Sequence, residues 1–102
     1  MKGIVVELSN DYDRWLNSLK DKKAKFAIIA RIRRMELGNL GDCVFIGDGV
    51  YEMRVHLSPG YRSYFIYPSE NDIKILCGGT KDTQKKDIAK AKAVYKTLMG
   101  GN

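Results

Sequence analysis

The spacing of apolar residues changes period twice along this chain, at Gly38 and again near Gly79, and these changes set out its elements. Before Gly38 the period is helical. Tyr12, Trp15, Leu16 and Leu19 recur at i, i+3, i+4 and i+7, and a second stripe carries Ile28, Ile29, Ile32 and Met35. The first helix is predicted to start at Ser9 or Asn10 as cap, with Asp11 and Asp13 suiting the positive end of its dipole. The second is predicted over Lys22–Leu37, with Gly38 as its stop. The β-branched run Ile4-Val5-Val6-Glu7-Leu8 ahead of them reads as a strand.

Between the two glycines the pattern is that of strands. Cys43–Ile46 is a short β run, Gly47-Asp48-Gly49 a turn, and Val50–Leu57 and Tyr61–Pro68 flank Ser58-Pro59-Gly60. In Asp72–Gly79, Ile73, Ile75 and Cys77 alternate against Lys74, Leu76 and Gly78. Asp82 or Thr83 is then expected to cap a last helix, with Ile88, Ala91, Tyr95 and Leu98 on one face and an end at Gly100-Gly101. This order predicts an α+β fold: a small antiparallel β-sheet with an N-terminal helical hairpin and a C-terminal helix, the helices on a face of the sheet. At 102 residues, with no linker, repeat or low-complexity tract, 1–102 is expected to be a single domain.

Composition excludes several classes. Hydrophobic residues make up 44% and charged residues 29%, as in an ordinary globular protein, and no apolar run reaches the 18 or so residues of a membrane span. Met1-Lys2-Gly3-Ile4 opens no signal-peptide pattern, and two cysteines, Cys43 and Cys77, make no disulfide framework, so a reducing cytoplasm is expected. Both cysteines are expected to be small buried hydrophobes, and Tyr12 and Trp15 core residues. The net charge of +6 is uneven. Residues 1–34 carry nine basic and four acidic side chains, residues 35–73 two and six, and residues 74–102 seven and two. Such a balance draws a small protein to nucleic acid, although the same charge serves solubility alone in many domains. The two basic residues of the acidic middle, Arg54 and Arg62, stand out for their isolation.

The hydrophobic pattern gives these arginines a common face. With a three-residue Ser58-Pro59-Gly60 loop, Leu57 would oppose Tyr61, His56 would oppose Arg62, and Arg54 would oppose Tyr64. Glu52, Arg54, His56, Arg62 and Tyr64 then share one face, and Tyr51, Met53, Val55, Leu57, Tyr61, Phe65 and Tyr67 the other. A two-residue loop would drive Arg62 in among Val55 and Leu57. Two guanidiniums beside an imidazole and a phenol suit a phosphodiester. Arginine offers planar paired donors to phosphate oxygens, histidine as a residue type suits a general base or acid and makes His56 the candidate, and Tyr64 is a candidate proton relay. The competing reading is an exposed strand face whose arginines pair with Glu52 and other carboxylates. No zinc-ligand spacing, carboxylate cluster, Gly-x-Ser-x-Gly elbow or complete phosphate loop is present, so no metal or cofactor is expected. Gly79-Thr80-Lys81 can bring Lys81 and a helix N-terminus toward an anion on the sheet.

Trp15-Leu16 before Leu19-Lys20-Asp21, Arg31-Ile32, Gly38-Asn39-Leu40-Gly41-Asp42, Gly47-x-Gly49-Val50-Tyr51-Glu52-Met53-Arg54, Pro59-Gly60-Tyr61-Arg62 and Gly78-Gly79-x-Lys81-x-x-Gln84-x-x-Asp87-Ile88 follow one another in order. In this the chain resembles the HigB-like addiction-module killer proteins of the RelE/ParE toxin superfamily, from about Asp11 to Leu98. The resemblance implies the toxin of a type II toxin–antitoxin system, cutting mRNA in the ribosome without metal and blocking translation. By position it assigns Arg54, Arg62 and Lys81 to basic sites of the RelE-type nucleases, and His56 and Tyr64 stay catalytic candidates from the strand face alone. Lys22, Lys23, Lys25, Arg33, Arg34, Gln84 and Lys85 become expected RNA contacts. Glu52 departs from the lysine of RelE, His56 stands where RelE has arginine, and the tyrosine RelE uses near its last helix has no counterpart among Lys85, Lys86 and Asp87. The implied partners are a helix-turn-helix antitoxin, mRNA, the ribosome with its 16S rRNA, and operator DNA through the antitoxin alone, with no membrane. ParE relatives share this fold and poison DNA gyrase instead. A non-catalytic phage-derived binding module is the remaining alternative.

Overall fold

The computed structural model describes residues 3–100. Strand β1 (Val5–Leu8) leads into helices α1 (Asn10–Ser18) and α2 (Lys22–Glu36), followed by β2 (Cys43–Gly47), β3 (Val50–Val55), β4 (Tyr61–Ser69) and β5 (Asp72–Thr80). A 3-10 turn, Lys81–Thr83, enters helix α3 (Gln84–Tyr95), and a π turn covers Lys96–Gly100. Gly101, where the last helix was expected to end, lies outside the described residues, as do Met1 and Lys2.

Local chemistry accounts for the helix starts. The Ser9 hydroxyl accepts the Tyr12 N–H at 3.0 Å and donates to the Leu76 carbonyl at 2.7 Å, so it caps α1 and ties it to β5. The Asp21 carboxylate accepts the N–H groups of Lys23 and Ala24 at the head of α2. Gly38, at φ 89°, closes α2 by donating to the Met35 carbonyl.

The five strands run β1-β5-β4-β3-β2. The other neighbours are antiparallel, which gives the expected α+β fold on a mostly antiparallel sheet, and β1 alone lies parallel to its neighbour β5. The two N-terminal helices cover one face. Tyr12, Leu16, Ala24, Ile28, Ile32 and Met35 pack there on Met53, Val55, Tyr61, Phe65, Ile73 and Ile75. The Tyr12 hydroxyl is satisfied inside this core by the Ser63 hydroxyl at 2.8 Å. α3 covers the opposite face, where Ala91 meets Val50, Tyr64, Ile66, Leu76 and Cys77. Helices therefore occupy both faces and not one.

Three expectations change in detail. The β3–β4 ladder pairs Val55 with Tyr61, Arg54 with Arg62, and Glu52 with Tyr64, so the connection is the five residues His56–Gly60. Leu57 leaves the ladder to pack against the helical core, and the Gly60 carbonyl is taken by the Lys81 N–H at 2.9 Å. A slip of two residues keeps every side chain on its face, which is why the face assignment survives and the pairs do not. Second, β5 does not alternate throughout. Between Tyr64–Cys77 and Phe65–Ile75 the register shifts, and the bulge puts consecutive Leu76 and Cys77 against α3. Gly78 then lies under the Trp15 ring of α1, and a Cβ at Gly79 would overlap the Asp87 carboxylate of α3. Third, Leu98 is exposed in the π turn, not part of the α3 face.

Candidate active site

Two neighbouring rows cross the face that α3 shares. The inner row is Val44, Glu52, Tyr64 and Cys77, and the outer row is Asp42, Arg54, Arg62 and Gly79. α3 closes over the inner row and over Gly79, and leaves Asp42 and Arg54 of the outer row partly exposed. Like charges directly opposite on paired strands repel, so Arg54 and Arg62 need anions beside them. Each has one. Asp42 Oδ1 accepts from Arg54 Nη2 at 2.8 Å and Nε at 3.2 Å. Glu52 Oε2 lies 3.6 Å from Arg62 Nε, an ion pair without a hydrogen bond. Arg62 Nε is the one buried side-chain nitrogen or oxygen among the described residues without a hydrogen-bond partner.

Glu52 is 3% exposed, and its Oε2 accepts from the Tyr64 hydroxyl at 3.0 Å and from Gln84 Nε2 at 2.8 Å. Gln84, the first residue of α3, thus fastens the helix to the carboxylate under Arg62. Tyr64 is fully buried. Burial first, and then donation to Glu52, push its phenol well above the ordinary tyrosine range. Tyr64 therefore stands inside the protein with its proton committed to Glu52.

His56 and Lys81 stand in the open. The His56 side chain is 72% exposed and its Nε2 meets Asp42 Oδ2. The Arg54 hydrogen bonds first, and the His56 bond second, hold the Asp42 carboxyl below the usual carboxylate range. Lys81 opens the 3-10 turn. A Cβ on Gly60 would sit 3.3 Å from Arg62 Nη1 and 3.8 Å from Lys81 Cβ, which places Lys81 beside Arg62 at the loop. Arg54, Arg62 and Lys81 form one cationic group toward this end of the sheet, with His56 and Asp42 beside Arg54.

A family model described as "Phage derived protein Gp49-like (DUF891)" matches residues 14–96, from α1 to the end of α3 and across the whole of this group. The chain belongs to the Gp49-like family. That family is of the RelE/ParE-like toxin type. An uncharacterized protein of Haemophilus influenzae is 40% identical to the chain over 95 residues, covering 93% of this chain and 96% of the relative.

The remaining expected contacts of the Gp49-like chain divide by face. Lys22, Lys23, Arg33 and Arg34 are exposed and Lys25 half-buried on α2, across the sheet from Arg54 and Arg62. Lys85 is exposed beside Gln84 at the start of α3, on the side of the cationic group. Among the described residues no group of three His, Cys, Asp or Glu side chains could hold a metal ion, and no helix is long and apolar enough to cross a membrane. Cys77 is buried and Cys43 half-buried, and burial raises both thiols, Cys77 to about 11. Sequence reasoning gave Asp42 no chemical role. Its signal was its place one residue before the strand that pairs with the one bearing Arg54.

Proposed function

We propose that this Gp49-like protein is a HigB-like toxin of a type II toxin–antitoxin pair and that it cuts mRNA on the ribosome. The observation that carries the reading is Arg54 and Arg62 facing one another across β3 and β4 at the open end of the sheet, flanked by His56 and Lys81. Two guanidiniums held side by side bind the non-bridging oxygens of one phosphate and neutralise the charge that grows there as the 2′ oxygen attacks. His56 accepts the 2′-hydroxyl proton, and Lys81 supplies a third cation near the leaving oxygen. Glu52, Tyr64 and Gln84 keep the Arg62 guanidinium in place from below.

The basic residues of α2 lie on the other face, so a chain seated on mRNA through its cationic end turns them toward surrounding ribosomal RNA. Phosphate contacts of that kind make binding strongly salt dependent. Orientation of the message by the ribosome supplies part of the rate, as fixed geometry does in any intramolecular reaction. The partner is a helix-turn-helix antitoxin. Expressing Arg62→Ala tests the reading: a nuclease loses its toxicity while still binding the antitoxin, and a variant as toxic as the parent would reject it in favour of a binding poison such as one of DNA gyrase.

A further inference from the structure

An anion already sits in the cationic group, and the fold goes to some length to keep it there. The Asp42 backbone is held from both sides: the Arg54 N–H donates to its carbonyl at 3.0 Å, and Arg31 Nη2 donates to the same carbonyl at 3.2 Å. Arg31, reaching across from α2, also donates to the Leu40 carbonyl at 3.0 Å and to the Arg54 carbonyl at 2.7 Å. Gly41, at φ 69°, lets this happen, because a Cβ there would meet the Arg31 guanidinium at 2.9 to 3.1 Å. The Cys43 thiol closes the turn on the Leu40 carbonyl at 3.2 Å. A carboxylate so placed opposes phosphate binding at Arg54 by simple charge repulsion. Both of its oxygens are nevertheless engaged by the groups that the reading above puts to work.

We propose that Asp42 is a positioning residue, which holds His56 by Nε2 so that Nδ1 is the nitrogen that takes the substrate proton, and holds Arg54 by one edge so that the other faces phosphate. The role rests on the nuclease reading. Arg54 gives Asp42 two of its five N–H donors, and three remain for the phosphate. A carboxylate only accepts, so the contact with Asp42 Oδ2 selects the tautomer with its proton on Nε2, and in that tautomer the Nδ1 lone pair is bare. In the step, Nδ1 takes the 2′-hydroxyl proton and the O2′–P bond forms as the P–O5′ bond breaks. The departing oxygen takes a proton from the Lys81 ammonium. The positive charge that develops on the ring faces the Asp42 carboxylate.

The test compares the parent chain with Asp42→Asn and Asp42→Glu in two measurements. On programmed ribosomes, Asp42→Asn is expected to lower kcat by about 10²-fold, the range general base catalysis supplies. Its KM should stay equal or fall, because a negative charge beside Arg54 has gone, and Asp42→Glu should recover part of kcat. Nitrogen NMR of the one histidine should show the Nε2–H tautomer in the parent and a mixture in Asp42→Asn, a change that a merely structural role would not produce. Parent-like kcat in Asp42→Asn, or an unchanged tautomer, would overturn the role while leaving the nuclease reading intact. No cleavage by the parent would overturn both.

Discussion

The two faces of one sheet are built on different terms. Under α1 and α2 the contact is apolar and continuous, from Ile28, Ile32 and Met35 across to Met53, Phe65 and Ile75, with the Tyr12 hydroxyl satisfied by Ser63. Under α3 the apolar contact covers only part of the face. It runs from Val50 and Ile66 to Tyr64, then gives way to the Glu52–Tyr64–Gln84 network, and then to a charged row in which Arg62 is mostly buried and Arg54 and Asp42 are partly exposed. The first face holds the chain together and the second grades from core to site. The lesson is that a short chain can keep two opposed arginines by giving each a carboxylate on the same face, one buried and one at the rim.

The sharpest break of that contrast is the pair Arg54→Ala, Arg62→Ala. It should abolish cleavage, a loss of at least about 10³-fold from removal of two preorganised cations, and it should also lower Tm, because buried Glu52 loses its Arg62 counter-charge. Phe65→Ala acts from the other side. Phe65 is fully buried beneath the helical hairpin, so the variant should lose about 3–5 kcal/mol in denaturant unfolding, and what remains folded should still cut. Gly79→Ala joins the faces. Its methyl would collide with the Asp87 carboxylate, which is held by the Thr83 hydroxyl at 2.6 Å, and a loss of about 1–3 kcal/mol is expected, with α3 displaced from the site.

Smaller effects sharpen the comparison. Tyr64→Phe removes one donor from buried Glu52 and leaves Gln84, so roughly 1 kcal/mol is expected, with no loss of an ionising group between pH 5 and 9 because the parent phenol is already pushed out of that range. The smallest effect is in acid. The Asp42 carboxyl titrates lower in the folded chain than unfolded, so its contribution to stability is present above the unfolded value, near 4, and is lost as pH falls toward the folded value. Asp42→Asn should therefore unfold with a shallower pH dependence below about pH 4 than its parent, and an identical dependence would show that the Arg54 and His56 contacts do not persist in solution.

Much of this was legible in the sequence where period and caps speak for themselves. The bounds of α1 and α2, the Ser9 cap, the strands around Gly47-Asp48-Gly49 and the common face of Arg54, Arg62 and Tyr64 all follow from spacing. What spacing cannot choose is between registers two residues apart, since both obey the same alternation, and so Arg54 came opposite Arg62 and not Tyr64. A bulge is similarly silent: Leu76 and Cys77 are both apolar, and alternation alone gives no sign that they share a face. The burial of Glu52 and Tyr64 depends on where α3 lands, which is a tertiary matter. Asp42 gained its role from the loop that Arg31 fixes, a contact between residues eleven apart that no local pattern shows.

The most direct test of the central claim is primer extension on mRNA from cells briefly induced for this protein, beside the Arg54→Ala, Arg62→Ala double variant. The account predicts cuts within translated frames for the parent and none for the variant. Growth arrest by the parent with its mRNA intact would contradict it.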